Sequence, residues 1–502
     1  HQKPVYLIQG PPGTGKTTVI VELLQQILHR EKGAKILVTS QSNLAVDNVL
    51  ERLQKVNEAT KNKLPFMRLA SQYTLNKAGV SEVIVPHTFE NKLQEWLQET
   101  EEKSTNYLKA LSVEEQKDLT KIQQDWLSFL GSVNTELVDG SKQSTLKNGH
   151  QEADFLTAML QDISIVGATC MHIASGQYHR MNLEFDYVIM DESSKASPPE
   201  TLVPINMGQN IILIGDHKQL PPVITKDINL KNKVDEALTD NGLGENKDFG
   251  KSLFETLMEA FEKDPKQQKY LKMLDIQYRM PAQIGTLISK YFYNNKLKNA
   301  APKLLKNKAH GLSLKKETSI VFINTSNRPN PSDNGNKTNR NNPCNVSAIT
   351  ELLEQLNTLY PNNLEQENPL NIAIIAGYRG QVKLLRKEIN TSQYENFDTL
   401  INIDTVDKFQ GAERDIIIYD VVRSSPKQQD VIGFLEDYRR INVAFSRVKR
   451  LLFVVGDKEY LLDRAILHPQ SDFKEFKLQQ IVQELDEEGL VYANFSELLK
   501  DK

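Results

Sequence analysis

The chain has few cysteines, no long apolar run and no excess of basic charge, and each absence excludes a class of protein. Its 502 residues include two cysteines, Cys170 and Cys344, which fit neither a metal-binding spacing nor a disulfide framework. We therefore expect a reducing compartment, the cytoplasm, with a nuclear location left open. No run approaches the roughly 18 apolar residues of a membrane-spanning helix, so we expect no membrane partner.

The overall charge also lacks the basic excess that marks many nucleic-acid-binding proteins. The formal net charge is −4 and the isoelectric point is about 6.2, so a global basic signature is absent. One local exception covers residues 263–316, which hold thirteen Lys and Arg against two Asp. This stretch is either a solvated surface or part of a positive groove, and charge alone leaves both open.

The start of the chain leads directly into an apolar stretch. Residues 5–8 read Val-Tyr-Leu-Ile, and the first residue is His1 rather than Met. We expect from this that no signal peptide is present. We also expect that the chain is a fragment whose upstream part is missing.

The most specific motif is GPPGTGKTT at residues 10–18, which has the phosphate-loop spacing G-x-x-x-x-G-K-T. An apolar run before it predicts a strand, and an apolar stripe from Val19 to Leu28 predicts a helix. Such a loop wraps phosphates with backbone N–H groups, while its Lys reaches the β- and γ-phosphates and its Thr holds Mg²⁺. We therefore predict a nucleotide-binding loop formed by Gly10, Pro11, Pro12, Gly13, Thr14, Gly15, Lys16, Thr17 and Thr18.

Two later strand ends carry candidate catalytic groups. The apolar run 185–190 ends in Asp191 and Glu192, which predicts a Mg²⁺ ligand followed by a carboxylate that polarises the attacking water. The alternative is an ordinary acidic turn. The next predicted strand leads to Gln219, an amide placed to contact the γ-phosphate or that water.

The periodicity of the chain predicts two parallel-sheet domains of α/β class. Strand and helix patterns alternate over residues 1–60 and resume at 163–215, and a second alternating series runs from 320 to 455. We place the first domain at 1–270 with a helical insert at 71–161, and the second at 271–464. A charged helical tail covers 465–502. We predict loops at residues 226–250 and in the Asn-rich segment 324–345, and we expect the second loop to be mobile.

The second domain contains no second phosphate loop, which predicts a single nucleotide at an interface that this domain completes. Arg279 and Arg447 are its candidate arginine fingers, because a guanidinium there would neutralise charge on the γ-phosphoryl oxygens. Either arginine alone is also consistent with an ordinary surface position.

Seven blocks in this order resemble the motor core of a superfamily-one helicase, within it the up-frameshift and senataxin branch. They read GPPGTGKTT, SQSNLAVDNV, DESSKA, GDHKQLPP, QYRM, TVDKFQGAERD and NVAFSR. The resemblance covers about residues 5–456, apart from the insert and the Asn-rich loop, and implies two RecA-like domains.

The resemblance also implies a role for each matching position. Lys16 and Thr17 correspond to phosphate and Mg²⁺ ligands, and Asp191 and Glu192 to the Mg²⁺ ligand and the catalytic carboxylate. Gln219 corresponds to the γ-phosphate sensor. In the second domain, Arg279 and Arg447 correspond to arginine fingers, Tyr278 to the residue that packs on adenine, and Glu413 to a ribose contact. The implied nucleic-acid contacts are Ser42, Asn43, Thr169, Tyr378 and Thr405, with Arg379 beside Tyr378.

Two segments depart from the branch pattern. Asp-Glu is usually followed by Ala-Ala-Gln, whereas this chain has Ser193-Ser194-Lys195, and the role of Lys195 is open. Lys408 replaces a usually small residue and adds a potential phosphate contact. The glutamine with which relatives recognise adenine precedes their phosphate loop and is not found here, so a preference for ATP over other nucleotides lacks support.

The expected function is an ATP- and Mg²⁺-dependent helicase or translocase moving 5′ to 3′ on single-stranded DNA or RNA, as a monomeric motor. The insert or a missing upstream region is the candidate site for a protein partner. The alternative is a nucleotide-gated module that binds nucleic acid or protein without unwinding. A small-molecule kinase or GTPase would leave Gln219, Arg279, Glu413 and Arg447 unexplained.

Overall fold

A computed structural model of the protein describes residues 4–60, 63–70, 81–110, 163–175, 183–223, 251–305, 309–336, 339–409, 411–424, 433–464 and 476–500. Much of the predicted insert, the loop predicted at 226–250 and Gln410 lie outside these residues. The chain separates into two compact units. The first consists of His1–Ile8, Lys16–Gly215 and Pro221–Lys272, and the second of Gln9–Gly15, Asp216–Leu220 and Met273–Lys502.

The first unit is built around a seven-stranded sheet. Its strands are β1 (Val5–Gln9), β2 (Ile36–Ser40), β3 (Phe66–Leu69), β4 (Ile165–Thr169), β5 (Phe185–Met190), β6 (Gly208–Gly215) and β7 (Leu271–Met273). Their spatial order is β3-β4-β2-β5-β6-β1-β7, and β2 to β6 pair in parallel. The described helices are α1 (Lys16–Arg30), α2 (Asn43–Ala59), α3 (Phe89–Ala110), α4 (Cys170–Ile173), α5 (Pro198–Met207) and α6 (Leu253–Lys263).

The second unit contains a six-stranded parallel sheet in the order β12-β11-β13-β14-β10-β15. Its strands are β10 (Ile320–Asn324), β11 (Ile372–Ala376), β12 (Ile401–Thr405), β13 (Arg414–Asp420), β14 (Val448–Gly456) and β15 (Val491–Tyr492). A two-stranded ribbon pairs β8 (Ile276–Gln277) with β9 (Lys298–Asn299). The described helices are α7 (Ala282–Phe292), α8 (Pro302–Leu305), α9 (Pro343–Leu359), α10 (Arg379–Glu388), α11 (Tyr438–Phe445) and α12 (Lys477–Glu487).

The apolar strands of the second sheet are buried on both faces, as a parallel sheet covered by helices requires. Successive side chains of a strand point to opposite faces. Ile372 and Ile374 accordingly lie in one core cluster, while Ala373 and Ile375 of the same strand lie in the other. The two RecA-like parallel-sheet domains predicted from the sequence are thus confirmed.

The start of the first domain follows the predicted strand–helix alternation closely. Helix α2 begins after Ser42, whose side chain accepts a hydrogen bond from the Ala45 N–H at 3.2 Å and so caps the helix. The four-residue strand β3 was not predicted, because Arg68 interrupts its apolar pattern. In the structure Arg68 is fully buried, and its Nε lies 2.8 Å from Asp47 Oδ1.

The C-terminal tail and the Asn-rich segment differ from the sequence-based expectation. The described part of the tail contains α12 but also β15, which pairs with β10, so it is not helical throughout. Within 324–345, Asn342 caps α9 and donates a hydrogen bond to the Pro331 carbonyl at 2.9 Å. Those contacts hold the described part of the predicted mobile loop in place. Among the described residues, no helix is long and apolar enough to cross a membrane.

Candidate functional site

The predicted phosphate loop follows β1 and leads into α1. Gly13 and Gly15 have φ angles of +73° and +75°, a left-handed conformation that glycine adopts without a steric penalty. The Thr14 hydroxyl donates a 2.8 Å hydrogen bond to the Pro11 carbonyl and closes the loop on itself. Because α1 begins at Lys16, the N–H groups of its first turn point toward the loop and can contribute to binding an anion.

Gly13 also lies against the segment that contains Tyr278 and Arg279. The Tyr278 N–H donates a 2.8 Å hydrogen bond to the Gly13 carbonyl. A Cβ atom added to Gly13 would lie 2.6 Å from the Cβ of Arg279, closer than two carbons can approach. Any larger residue at position 13 would therefore displace this loop or Arg279.

Asp191 ends β5 in a buried position with only 6% of its surface exposed. Burial raises the pKa of Asp191 to about 6, the Glu192 carboxylate adds to the increase, and the Lys16 ammonium opposes it. A buried carboxylate beside a second carboxylate is stabilised by a further positive charge. The environment of Asp191 thus fits a divalent cation, and Thr17, half-buried in the first turn of α1, would be its companion ligand.

Glu192 follows in an unusual backbone conformation, with a φ of 51°. Such conformations in residues other than glycine are strained and persist where the surrounding structure holds them. The carboxylate lies 2.7 Å from the Lys195 ammonium through its Oε2 atom. The structure therefore gives the candidate catalytic carboxylate a cationic neighbour.

Gln219 and Arg447 contact each other directly. The Arg447 Nη2 donates a 2.9 Å hydrogen bond to Gln219 Oε1, and the Gln219 amide donates to Asp216 Oδ2 at 2.7 Å. Asp216 Oδ2 also accepts a 2.6 Å hydrogen bond from the Tyr293 hydroxyl. That hydroxyl accepts one from Asn442 at 2.9 Å, so the predicted sensor and one predicted finger belong to a buried polar network.

The second predicted finger, Arg279, is held by Glu413. Its Nε donates a 2.6 Å hydrogen bond to Glu413 Oε1, and its Nη1 donates to the Ser446 carbonyl at 3.1 Å. Burial alone would raise the pKa of Glu413, but Arg279 and Lys449 outweigh burial and lower it. Glu413 is therefore an ionised partner of Arg279, and the ribose contact implied by the resemblance stays a prediction.

A second cluster of charge surrounds a cavity of about 720 Å³ in the second unit. The cavity lies where β11 and β12 end, since Gly377 follows β11 and Thr405 is the last residue of β12. Five cationic side chains and two aspartates line it, namely Arg379, Lys383, Arg386, Lys408, Arg440, Asp404 and Asp407. The lining includes no residue of the Lys-rich stretch 263–316.

Comparisons with known proteins match most of the chain. Two family models, each described as an AAA domain, match residues 1–227 and 249–459. An uncharacterized ATP-dependent helicase of Methanocaldococcus jannaschii is 30% identical over 495 residues. The chain belongs to the superfamily-one helicases.

Other relatives lie in the predicted branch. Helicase sen1 of Schizosaccharomyces pombe and a regulator of nonsense transcripts 1 homolog of Drosophila melanogaster are each 28% identical, over 504 and 485 residues. These alignments and that with the archaeal protein cover 91–94% of this helicase core. The core spans 66% of the archaeal relative and 28% and 34% of the other two. A solved arterivirus helicase–DNA complex aligns over 95% of the core and 62% of its own chain, at 12% identity and a TM-score of 0.38, too low to support an inference.

The five residues predicted to contact nucleic acid in this helicase core lie at element ends. Ser42 is exposed at the start of α2, and the Asn43 side chain accepts a 2.7 Å hydrogen bond from Arg68. Thr169 caps α4, and its side chain accepts from the His172 N–H. Thr405 lines the cationic cavity.

Tyr378 does not fit its predicted role. Only 3% of its surface is exposed, and its ring packs against Phe434 with the centroids 5.0 Å apart. Burial argues against a direct contact with a nucleic-acid strand. The next residue, Arg379, is exposed and lines the cavity, so the strand-contacting role at this block suits Arg379 instead.

Three residues of the site went unrecognised in the sequence. Asp216 lies in the GDHKQLPP block, in which only Gln219 was predicted to belong to the site. Its position directly after a buried strand could have identified it as a further site residue. Asn442 lies in the NVAFSR block, in which only Arg447 was predicted to belong to the site. Tyr293 gave no signal, because nothing in Tyr291-Phe292-Tyr293 distinguishes the residue that reaches Asp216.

Proposed function

We propose that the chain is an ATP-dependent motor that translocates 5′ to 3′ along single-stranded nucleic acid and unwinds duplexes. The observation that carries the proposal is the placement of two charged clusters at opposite edges of one parallel sheet. Glu413 and Arg447 immediately precede β13 and β14, whereas Gly377 and Thr405 lie at the carboxyl ends of β11 and β12. Parallel strands have all their amino ends at one edge.

The side chains predicted for the nucleotide site have the chemistry that nucleotide hydrolysis needs. Lys16 would bind phosphate oxygens, and Glu192 would accept a proton from the attacking water. Arg279 and Arg447 would neutralise charge that builds on the transferred phosphoryl group, while Gln219 would orient the water. Mg²⁺ held by Thr17 and Asp191 would supply positive charge to the phosphates. Tyr278, with 47% of its surface exposed, would pack on the base.

The cavity at the carboxyl edge suits a nucleic-acid backbone. Guanidinium and ammonium groups bind phosphates, and the Thr405 hydroxyl can donate to a phosphate or sugar oxygen. Lys408 adds a further cation, although its ammonium also lies 3.3 Å from Asp404 Oδ2. These contacts do not identify bases, which a motor that moves along any sequence requires. They explain how an acidic chain binds a polyanion.

The sheet offers a physical route from hydrolysis to movement. Strands β11 and β13 pair over five residues and β13 and β14 over six, so residues at the two edges belong to one rigid layer. A change in how Arg447 or Arg279 is bound would move the cavity with the sheet. The names of the relatives, which include several ATP-dependent helicases, support the same proposal.

The test is ATP hydrolysis by the purified chain with and without single-stranded DNA or RNA, followed by unwinding of duplexes with 5′ or 3′ tails. We expect at least one polymer to stimulate ATP hydrolysis and the chain to unwind duplexes with 5′ tails. Lys16→Ala should abolish nucleotide binding, whereas Glu192→Gln should retain it. Lack of stimulation by either polymer would refute the translocase proposal. Stimulation without unwinding would instead favour the nucleotide-gated binding module.

The proposal includes a monomeric state and a protein-binding role for the insert. Superfamily-one motors need only one phosphate loop and one pair of fingers, and this chain carries one set. Light scattering of the chain with a non-hydrolysable ATP analogue and single-stranded polymer tests the monomeric state. A mass larger than one chain per strand would contradict it.

A further inference from the structure

Lys195 lies beside Glu192, the candidate catalytic carboxylate. Its ammonium is 2.7 Å from Glu192 Oε2, and both side chains are largely enclosed, with 18% and 23% exposed. We propose that Lys195 is a positioning residue that holds Glu192 in the orientation needed to accept a proton from the attacking water. This inference rests on the proposed function.

The backbone around the pair is anchored, so the position of Lys195 is defined. The Asp191 N–H donates to the Thr39 carbonyl at 2.9 Å, which ties the start of the turn to β2. The Ser193 N–H and hydroxyl both donate to the Ile214 carbonyl, at 2.9 and 2.8 Å, which ties its middle to β6. The Lys195 N–H then donates to the Glu192 carbonyl at 2.9 Å.

Close packing prevents the turn from relaxing. A Cβ atom on Gly215 would lie 2.8 Å from both Ser193 Oγ and Ser194 N, and Ala196 has no exposed surface. The strained φ of Glu192 is maintained by these contacts. The backbone therefore presents Lys195 and Glu192 to each other at a fixed separation.

The contact with Lys195 restrains the Glu192 carboxylate through one of its two oxygens, Oε2. A glutamate side chain on its own samples several rotamers, and fixing the reactive one before the reaction removes that entropy from the barrier. Lys195 contacts Oε2, and in the proposed reaction Oε1 would accept the proton from water. A neutral glutamine at this position could donate a hydrogen bond to the carboxylate but could not form an ion pair with it.

The experiment compares Lys195→Ala and Lys195→Arg with wild type. Lys251→Ala is the control, because Lys251 also pairs with a glutamate of the first unit, at 3.0 Å from Glu259, but in a different part of the fold. The measurements are kcat and KM of polymer-stimulated ATP hydrolysis, Kd for a fluorescent ATP analogue, and Kd for ADP with aluminium fluoride as a transition-state mimic.

We expect Lys195→Ala to lower kcat by about ten- to hundredfold, which is the usual cost of misplacing a reacting group. KM and the analogue Kd should stay within about twofold, because an effect confined to the transition state leaves ground-state binding unchanged. The aluminium fluoride complex should weaken, and Lys195→Arg should restore most of the activity. Lys251→Ala should match wild type throughout.

A double-mutant cycle with Glu192→Gln separates positioning from any other role. If Lys195 acts through Glu192, then Lys195→Ala should have little further effect once Glu192 is neutral. An equal loss in both backgrounds, loss of ATP-analogue binding, or an unchanged kcat would each overturn the inference while leaving the proposed function intact. A wild-type chain with no ATPase activity would overturn both.

Discussion

The hydroxyl of Tyr293 donates a 2.6 Å hydrogen bond to Asp216 Oδ2, and both residues are buried, with 4% and 3% of their surfaces exposed. Tyr293 follows the last residue of α7, and Asp216 begins the segment that carries Gln219. Burial and the charge of Asp216 raise the pKa of Tyr293 well above its usual value. The hydroxyl thus keeps its proton and remains a hydrogen-bond donor at neutral pH.

Because of this contact, we predict that Tyr293→Phe impairs hydrolysis as well as stability. Loss of one buried hydrogen bond should cost about 1 kcal/mol, with more if Asp216 is left underpaired. Asp216 also accepts from the Gln219 amide, so the sensor should lose its fixed orientation and kcat should fall. Thermal unfolding and steady-state ATPase assays measure the two effects.

Tyr360→Phe is the matched control for that substitution. Tyr360 is also buried in the second unit, and its hydroxyl donates to the His310 carbonyl at 2.7 Å. It should lose similar stability but retain wild-type kcat. Equal ATPase activity in the two variants would assign Tyr293 a purely structural role.

The strands and motifs around this contact could be predicted from the sequence, but the contact itself could not, and the reason is physical. Local periodicity and strand-end motifs depend on residues close in sequence, so the strands, the phosphate loop and Asp191-Glu192 were predictable. The contact between Tyr293 and Asp216 spans 77 residues, and that between Arg447 and Gln219 spans 228. No local pattern specifies which side chains meet over such separations.

The same limit applies to the predicted nucleic-acid contact of Tyr378. Its block indicates a segment near nucleic acid, but a block does not show which of two adjacent side chains points into the core. At the start of α10 the tyrosine turns toward Phe434 and the arginine turns toward the cavity. Strand β3 was not predicted for a related reason. Arg68 is a charged residue in an otherwise apolar run, and the sequence does not show that it pairs with the buried Asp47.

We predict that Arg447→Ala reduces kcat about a thousandfold, the lower range reported for removing an arginine finger. Arg447 is 5% exposed and contacts Gln219 directly, so its loss should affect turnover more than nucleotide affinity. Single-turnover hydrolysis and the Kd of a fluorescent ATP analogue separate these effects.

Arg450→Ala supplies the control for Arg447→Ala. Arg450 lies on the same strand, β14, and pairs with Asp415 at 3.1 Å. Its removal should leave kcat near the wild-type value. If Arg447→Ala turned over ATP as fast as Arg450→Ala, Arg447 would have no part in the reaction.

We predict that the double variant Arg379→Ala, Lys383→Ala weakens binding to single strands without loss of basal nucleotide binding. Both residues line the cationic cavity. Each lost phosphate contact should reduce the slope of log K against log salt by about 0.7, so two should reduce it by about 1.4. Fluorescence anisotropy over a salt series measures the slope.

Lys290→Ala, Lys298→Ala tests whether position or total charge matters. These lysines belong to the Lys-rich stretch, pair with Glu484 and Asp275, and do not line the cavity. This variant removes the same charge and should keep the wild-type slope. Identical slopes for the two double variants would exclude the cavity as the binding groove.

Asp420 gives a prediction for stability against pH. It ends β13 fully buried and accepts hydrogen bonds from Asn345, Gln381 and the Val422 N–H. Burial raises the pKa of Asp420 to about 6, and these hydrogen bonds oppose the increase only in part. The folded protein therefore binds a proton more tightly at this group than the unfolded chain does.

The sign follows from that difference. A raised carboxyl pKa contributes stability that is complete below the unfolded value of about 4 and is lost as pH rises through about 6. Melting temperatures measured from pH 7.5 to pH 5 should accordingly rise less in Asp420→Asn than in wild type, because the variant cannot take up this proton. Parallel curves for the two proteins would show that Asp420 does not titrate in this range and that its hydrogen bonds keep it ionised.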